Sequence, residues 1–155
     1  MYKRILVPLD GSELSESIMA HVKAIAEGCG ASEVVLLRVL EPLSSQVAAQ
    51  TGDILTQNIE EIAKADAADY LSTVAGGLKQ EIAGLQTTVL WGKPADEILD
   101  YVGNKQVDII IMSTHGRSGV SRWVFGSVAD RVIRHSPVPV LVVPPPGART
   151  GDSRG

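Results

Sequence analysis

The chain has 155 residues, of which 45% are hydrophobic, 21% charged and 4% aromatic, with a formal net charge of −4. That length fits one domain with its own core, since a chain of this size buries roughly 68–70% of its unfolded surface. One cysteine, Cys29, excludes an intramolecular disulfide framework, three scattered histidines give no four-ligand zinc site, and the mild acidity argues against a nucleic-acid partner.

No apolar run reaches the ~20 residues of a membrane helix. The N-terminus enters a strand-like run at once, so no signal peptide is expected. The expectation is a cytoplasmic globule with no membrane partner and no nucleic-acid partner.

In chain order, Arg4-Ile5-Leu6-Val7-Pro8 reads as a short buried strand, stopped by Pro8 and Gly11. Leu14, Ile18, Val22 and Ile25 recur at helical spacing from Ser12 to Gly28, with Ser12 as N-cap and Gly28 and Gly30 as stops. Val34 to Leu40 is a second apolar strand, ended by Pro42. Leu43 to Gly52 is rich in Ser, Ala and Gln and reads as loop. A long helix is predicted from about Ile54 to Ala83, which Gly76 and Gly77 weaken without ending.

Leu85 to Trp91 is a third strand. Pro94 then opens a helix at its first position, with Asp96 and Glu97 in the first turn and Gly103 as its end. Val107 to Met112 is a fourth strand, and Ser113 to Gly119 a loop of small residues. Val124, Phe125, Val128, Ala129, Val132 and Ile133 mark the next helix, and Val138 to Val143 the last strand. The Pro, Gly and Arg content from residue 144 onward predicts a domain over 1–143 and a disordered tail over 144–155.

Apolar strands alternating with helices imply a parallel sheet covered on both faces. Right-handed crossovers make it doubly wound. The predicted fold is α/β: a Rossmann-like doubly wound five-stranded parallel sheet with helices on both faces and strand order 3-2-1-4-5.

Such sheets bind ligands at the carboxyl ends of their strands, beside the switch point. The residues to read there are Pro8, Leu9, Asp10, Gly11 and Ser12 after strand 1. After strand 4 they are Met112, Ser113, Thr114, His115, Gly116, Arg117, Ser118 and Gly119, with Gly126-Ser127 beyond. Glycine between strand and helix lets backbone N–H groups approach an anion, and the helix adds its positive end.

Glu13 and Glu16 would repel a phosphate on the strand-1 side, whereas Arg117 and Arg122 favour one after strand 4. Asp10 then suits ribose hydroxyls. Each feature also has a plainer account. Gly116 and Gly119 can serve turns, Asp10 can bond local backbone, and His115 can be an ordinary loop residue. Arg117 can be a solvated charge, Cys29 a small buried hydrophobe, and Trp91 and Trp123 packing residues. There is no P-loop, no Gly-x-Gly-x-x-Gly after strand 1 and no nucleophile elbow. A phosphoacceptor receiver would need an Asp after strand 3, where Trp91-Gly92 stands.

Ile5 to Ser12, Asp108 to Gly119, Gly126-Ser127-Val128-Ala129 and Pro137 to Val143 together resemble the universal stress protein family over about Met1 to Val143. The family's nucleotide-binding branch carries Gly-x2-Gly-x9-Gly-Ser/Thr. Here Gly116, the nine residues Arg117 to Phe125, Gly126 and Ser127 match, and Ser113 departs at the first glycine.

By that resemblance Asp10 holds the ribose and the backbone of Val39 meets adenine. Gly116, Arg117, Gly126, Ser127 and Val128 hold phosphates, and Ser113 adds a hydroxyl. Any Mg or Mn ion is bridged by the phosphates. Were positive φ needed at position 113, serine would cost about 1–2 kcal/mol.

The resemblance implies an ATP-binding regulatory module in the stress response, with slow ATP turnover at most, and a homodimer through Val138 to Val143. That apolar run has the look of an edge strand, where Pro139 is tolerated. The competing account is a stress protein with an empty pocket, acting through dimerisation and protein partners. Ser113 and the acidic first helix speak for it. A nucleotide-transfer enzyme ranks last, because no acid and base are sensibly spaced.

Overall fold

The structure, a computed structural model, describes residues 1–12, 16–114 and 126–144. The strands are β1 (Arg4–Pro8), β2 (Glu33–Leu40), β3 (Leu85–Trp91), β4 (Ile109–Ser113) and β5 (Val140–Val143). The helices are α1 (Met19–Cys29), α2 (Ser45–Thr51), α3 (Asp53–Gly76), α4 (Pro94–Lys105) and α5 (Ser127–His135). The sheet runs β3-β2-β1-β4-β5, and every pairing is parallel. This is the predicted doubly wound order.

Period-two alternation along the strands divides the core into two layers. Ile5, Val7, Val34, Leu36, Ile109 and Ile111 face one way, with Val22 and Ala26 of α1 and Leu71 and Ala75 of α3. Leu6, Val35, Leu37, Ile110 and Met112 face the other way, with Ala95, Ile98 and Val102 of α4 and Ala129 and Val132 of α5. Strand residues 5–7 and 34–37 are wholly buried. At about 1.5–3 kcal/mol for each large apolar side chain removed from water, these strands dominate the stabilisation.

Several boundaries differ from the sequence reading, each for a local reason. Gly28 lies inside α1, which stops at Gly30, whose N–H reaches the carbonyls of Ala26 and Glu27. The expected loop at 43–52 contains α2. The Ser44 hydroxyl caps it by accepting from the Val47 N–H at 3.3 Å, and Thr51 donates to the Val47 carbonyl at 2.7 Å. No residue of α2 is buried, so it carries no core-facing stripe to read.

The long helix ends at Gly76, seven residues short of Ala83. The chain then turns through Leu78 and Lys79, whose N–H groups both reach the Ala75 carbonyl at 2.9 Å. Helix α4 continues past Gly103 to Lys105, with Gln106 in the left-handed region at φ 53. Strand β4 is displaced to 109–113, and β5 begins at Val140. Val124 and Phe125 of the predicted last helix lie outside the described residues, as does the predicted tail beyond residue 144. Among the described residues no helix is long and apolar enough to cross a membrane.

Gly84 and Gly103 make a paired test of backbone demand. A Cβ at Gly84 (φ +66) would sit 2.0 Å from the Ser32 carbonyl oxygen, whereas one at Gly103 meets nothing within 4 Å. Gly84→Ala is expected to lower stability by more than about 1 kcal/mol, and Gly103→Ala to raise it by roughly 0.5–1 kcal/mol. Urea denaturation of both variants reads the opposite signs.

Candidate functional site

The chain leaves β1 for the face that α1 and α3 cover, and leaves β4 for the face that α5 covers. Because β1 and β4 are neighbours, their carboxyl ends part at the switch point. A cleft of ≈ 310 Å³ opens there. Pro8, Leu9 and Asp10 enter it from the end of β1, and Met112, Ser113 and Thr114 from the end of β4. Gly126, Ser127, Val128 and Ala129 enter it from the start of α5. Leu37 and Val39 of β2 and Pro94 and Ile98 of α4 make its apolar side.

Nine of the expected site residues therefore line one cleft: Pro8, Leu9, Asp10, Val39, Met112, Ser113, Gly126, Ser127 and Val128. His115, Gly116, Arg117 and Gly119 lie outside the described residues. Thr114, read among the residues after strand 4, lines it as well, whereas Leu37, Pro94, Ile98 and Ala129 were not anticipated, although period was the signal for three of them. Leu37 stands two residues before Val39 on the same strand face. Pro94 and Ile98 stand four apart on one helix stripe.

The β1 turn is built by backbone and side chain together. The Leu9 N–H donates to the Leu37 carbonyl at 2.8 Å, carrying the ladder one residue past the strand. The Asp10 Oδ1 accepts from the Ser12 N–H at 2.9 Å and from the Ser12 hydroxyl at 2.5 Å. The Ser12 carbonyl accepts from the Glu16 N–H at 3.3 Å, while residues 13–15, on which the expected helix cap at Ser12 would act, lie outside the described residues. The two bonds to Ser12 tie the carboxylate into the turn at the cleft, where Asp10 presents acceptor oxygens.

On the other rim the Thr114 N–H donates to the Val143 carbonyl at 3.2 Å. The Gly126 N–H donates to the Thr114 carbonyl at 2.9 Å. These bonds fasten the end of β4 and the start of α5 to the last residue of β5. Gly126 is the N-cap of α5 and makes no side-chain cap bond. The backbone N–H groups of the first turn and the positive end of the helix dipole are the anion-attracting features of this rim. The acid in that turn, Asp130, is paired with Arg134 Nε, which is 3.1 Å from each carboxylate oxygen.

Position 113 departs from the glycine pattern without backbone strain. Ser113 is the last residue of β4 and pairs with Val143. Among the described residues Gln106 is the one non-glycine with positive φ. The 1–2 kcal/mol penalty considered for a left-handed serine therefore does not arise.

Fold and site define a doubly wound α/β protein with a ligand-sized cleft at its switch point. The model of the Universal stress protein family matches residues 1–144, and the chain belongs to that family. It is similar to universal stress protein MJ0531 of Methanocaldococcus jannaschii, 34% identical over 148 residues that cover 94% of this chain and 84% of the relative. The solved structure of MJ0577 from the same organism superposes with a TM-score of 0.81 at 31% identity, covering 93% of this chain and 96% of that one. A universal stress protein from Archaeoglobus fulgidus, solved in complex with dAMP, shares the fold with a TM-score of 0.63 at 24% identity, covering 91% and 97%.

The extended backbone at Ser113 sets the sign of a substitution. Ser113→Gly relieves nothing and is expected to destabilise the fold by about 0.5–1 kcal/mol, the ordinary cost of glycine in a strand. A gain in thermal midpoint for that variant would show that position 113 is strained.

Proposed function

We propose that this chain is a regulatory module of the stress response that binds an adenine nucleotide, ATP foremost, and turns it over slowly at most. The observation that carries the reading is convergence. A ribose-competent carboxylate, a backbone edge and a helix N-terminus meet in one cleft with an apolar side.

The backbone edge belongs to Val39. The Leu37 carbonyl points toward β1, where it meets Leu9, and the Leu40 carbonyl points toward β3, where it meets Gly92. By the period of the strand Val39 turns its N–H and C=O the same way as Leu37. That side lies past the point where β1 has left the sheet. A donor beside an acceptor matches the Watson–Crick edge of adenine. Leu37, Ile98 and Pro94 supply the apolar surface its faces need.

Asp10 is assigned to the ribose. Gly126, Ser127 and Val128 are assigned to the phosphates, along with Ser113 through its hydroxyl. His115, Gly116, Arg117 and Gly119 join them by the family pattern. Divalent Mg or Mn, where present, enters with the phosphates. The dAMP held by the Archaeoglobus relative supports an adenine nucleotide as the ligand class.

Calorimetric titration tests this reading. The parent protein is expected to bind ATP saturably in the micromolar range. Asp10→Ala is expected to weaken binding by roughly 10- to 100-fold, as loss of hydrogen bonds to a charged acceptor predicts. No binding at millimolar ATP would overturn the assignment and leave a module that acts through protein partners.

The same reading makes the protein a homodimer through its last strand. Strand β5 pairs with β4 on one side only and ends the sheet among the described residues. Val140, Leu141 and Val142 remain partly exposed along it. Such an apolar edge is a template for pairing. Sedimentation equilibrium at micromolar concentration is expected to give a dimer mass, and a monomer mass would reject this interface.

A further inference from the structure

The turn that carries Asp10 leans on a residue from the opposite face of the sheet. Side chains alternate along β2, so Leu37 and Val39 face the cleft while Leu36 and Arg38 face the α1 and α3 layer. Arg38 lies over the Tyr70 ring of α3, its Cζ 5.6 Å from the ring centre, a cation–π distance. Its head also reaches the turn. A Cβ built on Gly11 would stand 1.9 Å from Arg38 Nη1 and 2.9 Å from Cζ. The guanidinium thus fills the space that a side chain at position 11 would occupy, and Gly11 is itself in the left-handed region at φ +85.

Two consecutive residues of β2 therefore hold the turn, Leu37 through its carbonyl to Leu9 and Arg38 through its head against Gly11. Asp10 lies between these two supports and lines the cleft. Gly11 and Arg38 do not line it.

We propose that Arg38, braced on Tyr70, is a positioning residue. It fixes the Asp10–Gly11–Ser12 turn from behind and thereby sets how strongly the cleft holds a ribose, this last part resting on the nucleotide reading above. Arg38 acts through Gly11 and not on the ligand. The guanidinium spans both contacts at once, with Cζ over the Tyr70 ring and Nη1 in the space beside Gly11, a reach that the single ammonium of lysine does not reproduce.

Two measurements on the full chain test this. The first needs no ligand. Amide hydrogen exchange by NMR reads the Ser12 N–H, which is bonded to Asp10. In Arg38→Ala the Ser12 amide is expected to exchange about tenfold faster or more, while the amides of Leu6 and Leu36 keep their protection, the signature of a local opening. Arg38→Lys keeps a cation on a similar stem and is expected to fall between parent and alanine variant. Unchanged Ser12 exchange in Arg38→Ala would overturn the proposal.

The second compares ATP with 2′-deoxy-ATP in the parent, Arg38→Ala, Asp10→Ala and the double variant. The parent is expected to prefer the ribose, and Arg38→Ala to cut that preference by roughly threefold or more. The double variant is expected to prefer ribose no less than Asp10→Ala alone, since both changes remove one coupled contact. A preference unchanged in Arg38→Ala but lost in Asp10→Ala would show that Arg38 does not position the carboxylate. If the parent binds neither nucleotide, the nucleotide reading falls together with the ribose part of the proposal. The exchange result then still decides whether Arg38 holds the turn.

Discussion

β1 is held on both sides, by β2 in register from Arg4↔Glu33 to Pro8↔Leu37 and by β4 through Ile5↔Ile109 and Leu6↔Ile110. The β4 pairing is the short one, and the chain leaves these two strands for opposite faces of the sheet. A parallel sheet must return each strand by a crossover, and a crossover of fixed hand determines which face each helix covers. Where the direction of winding reverses, no helix can cover the strand ends, and the gap becomes the cleft. The amino end of the same strands is closed by contrast. Asp108 Oδ2 accepts from the Lys3 and Arg4 N–H groups at 2.8 Å each.

The two rims of the cleft differ in chemistry because their chains differ in what they fasten. The β1 rim ends in a carboxylate whose turn is supported by successive residues of β2. The β4 rim ends in a helix start, tied through Thr114 to the edge strand β5. A negative side chain on one rim and backbone donors on the other give the cleft a polarity along its length. A ligand with hydroxyls in its middle and an anion at one end fits that polarity, and the apolar side over Leu37 and Ile98 suits a flat ring.

Much of this was readable from residue order because period and burial coincide in a parallel sheet. The runs Ile5-Leu6-Val7 and Val34 to Leu37 are apolar at every position because both faces of each strand are covered. Pro94, at the first position of α4, and the strand 85–91 were legible for similar local reasons. Helix α2 was not, since a capped two-turn helix with no buried residue has no apolar stripe. The end of α3 at Gly76 was hidden because Leu78 and Ile82 continue its apolar spacing, while their side chains pack from turns instead of a helix.

The sequence by itself determined the order of strands and helices, the two-faced burial of the central strands and the residues that follow strands 1 and 4. Those properties follow from side-chain hydrophobicity and local backbone preference, which act over a few neighbours. Only the tertiary structure decided that Leu37, Pro94 and Ile98 share a cleft with Asp10, that Ser113 is extended and unstrained, and that Arg38 fills the space beside Gly11. Each of these depends on segments far apart in the chain meeting at fixed distances. Such distances come from how the paired strands and packed helices settle against one another, and a pattern read over a few neighbours does not give them.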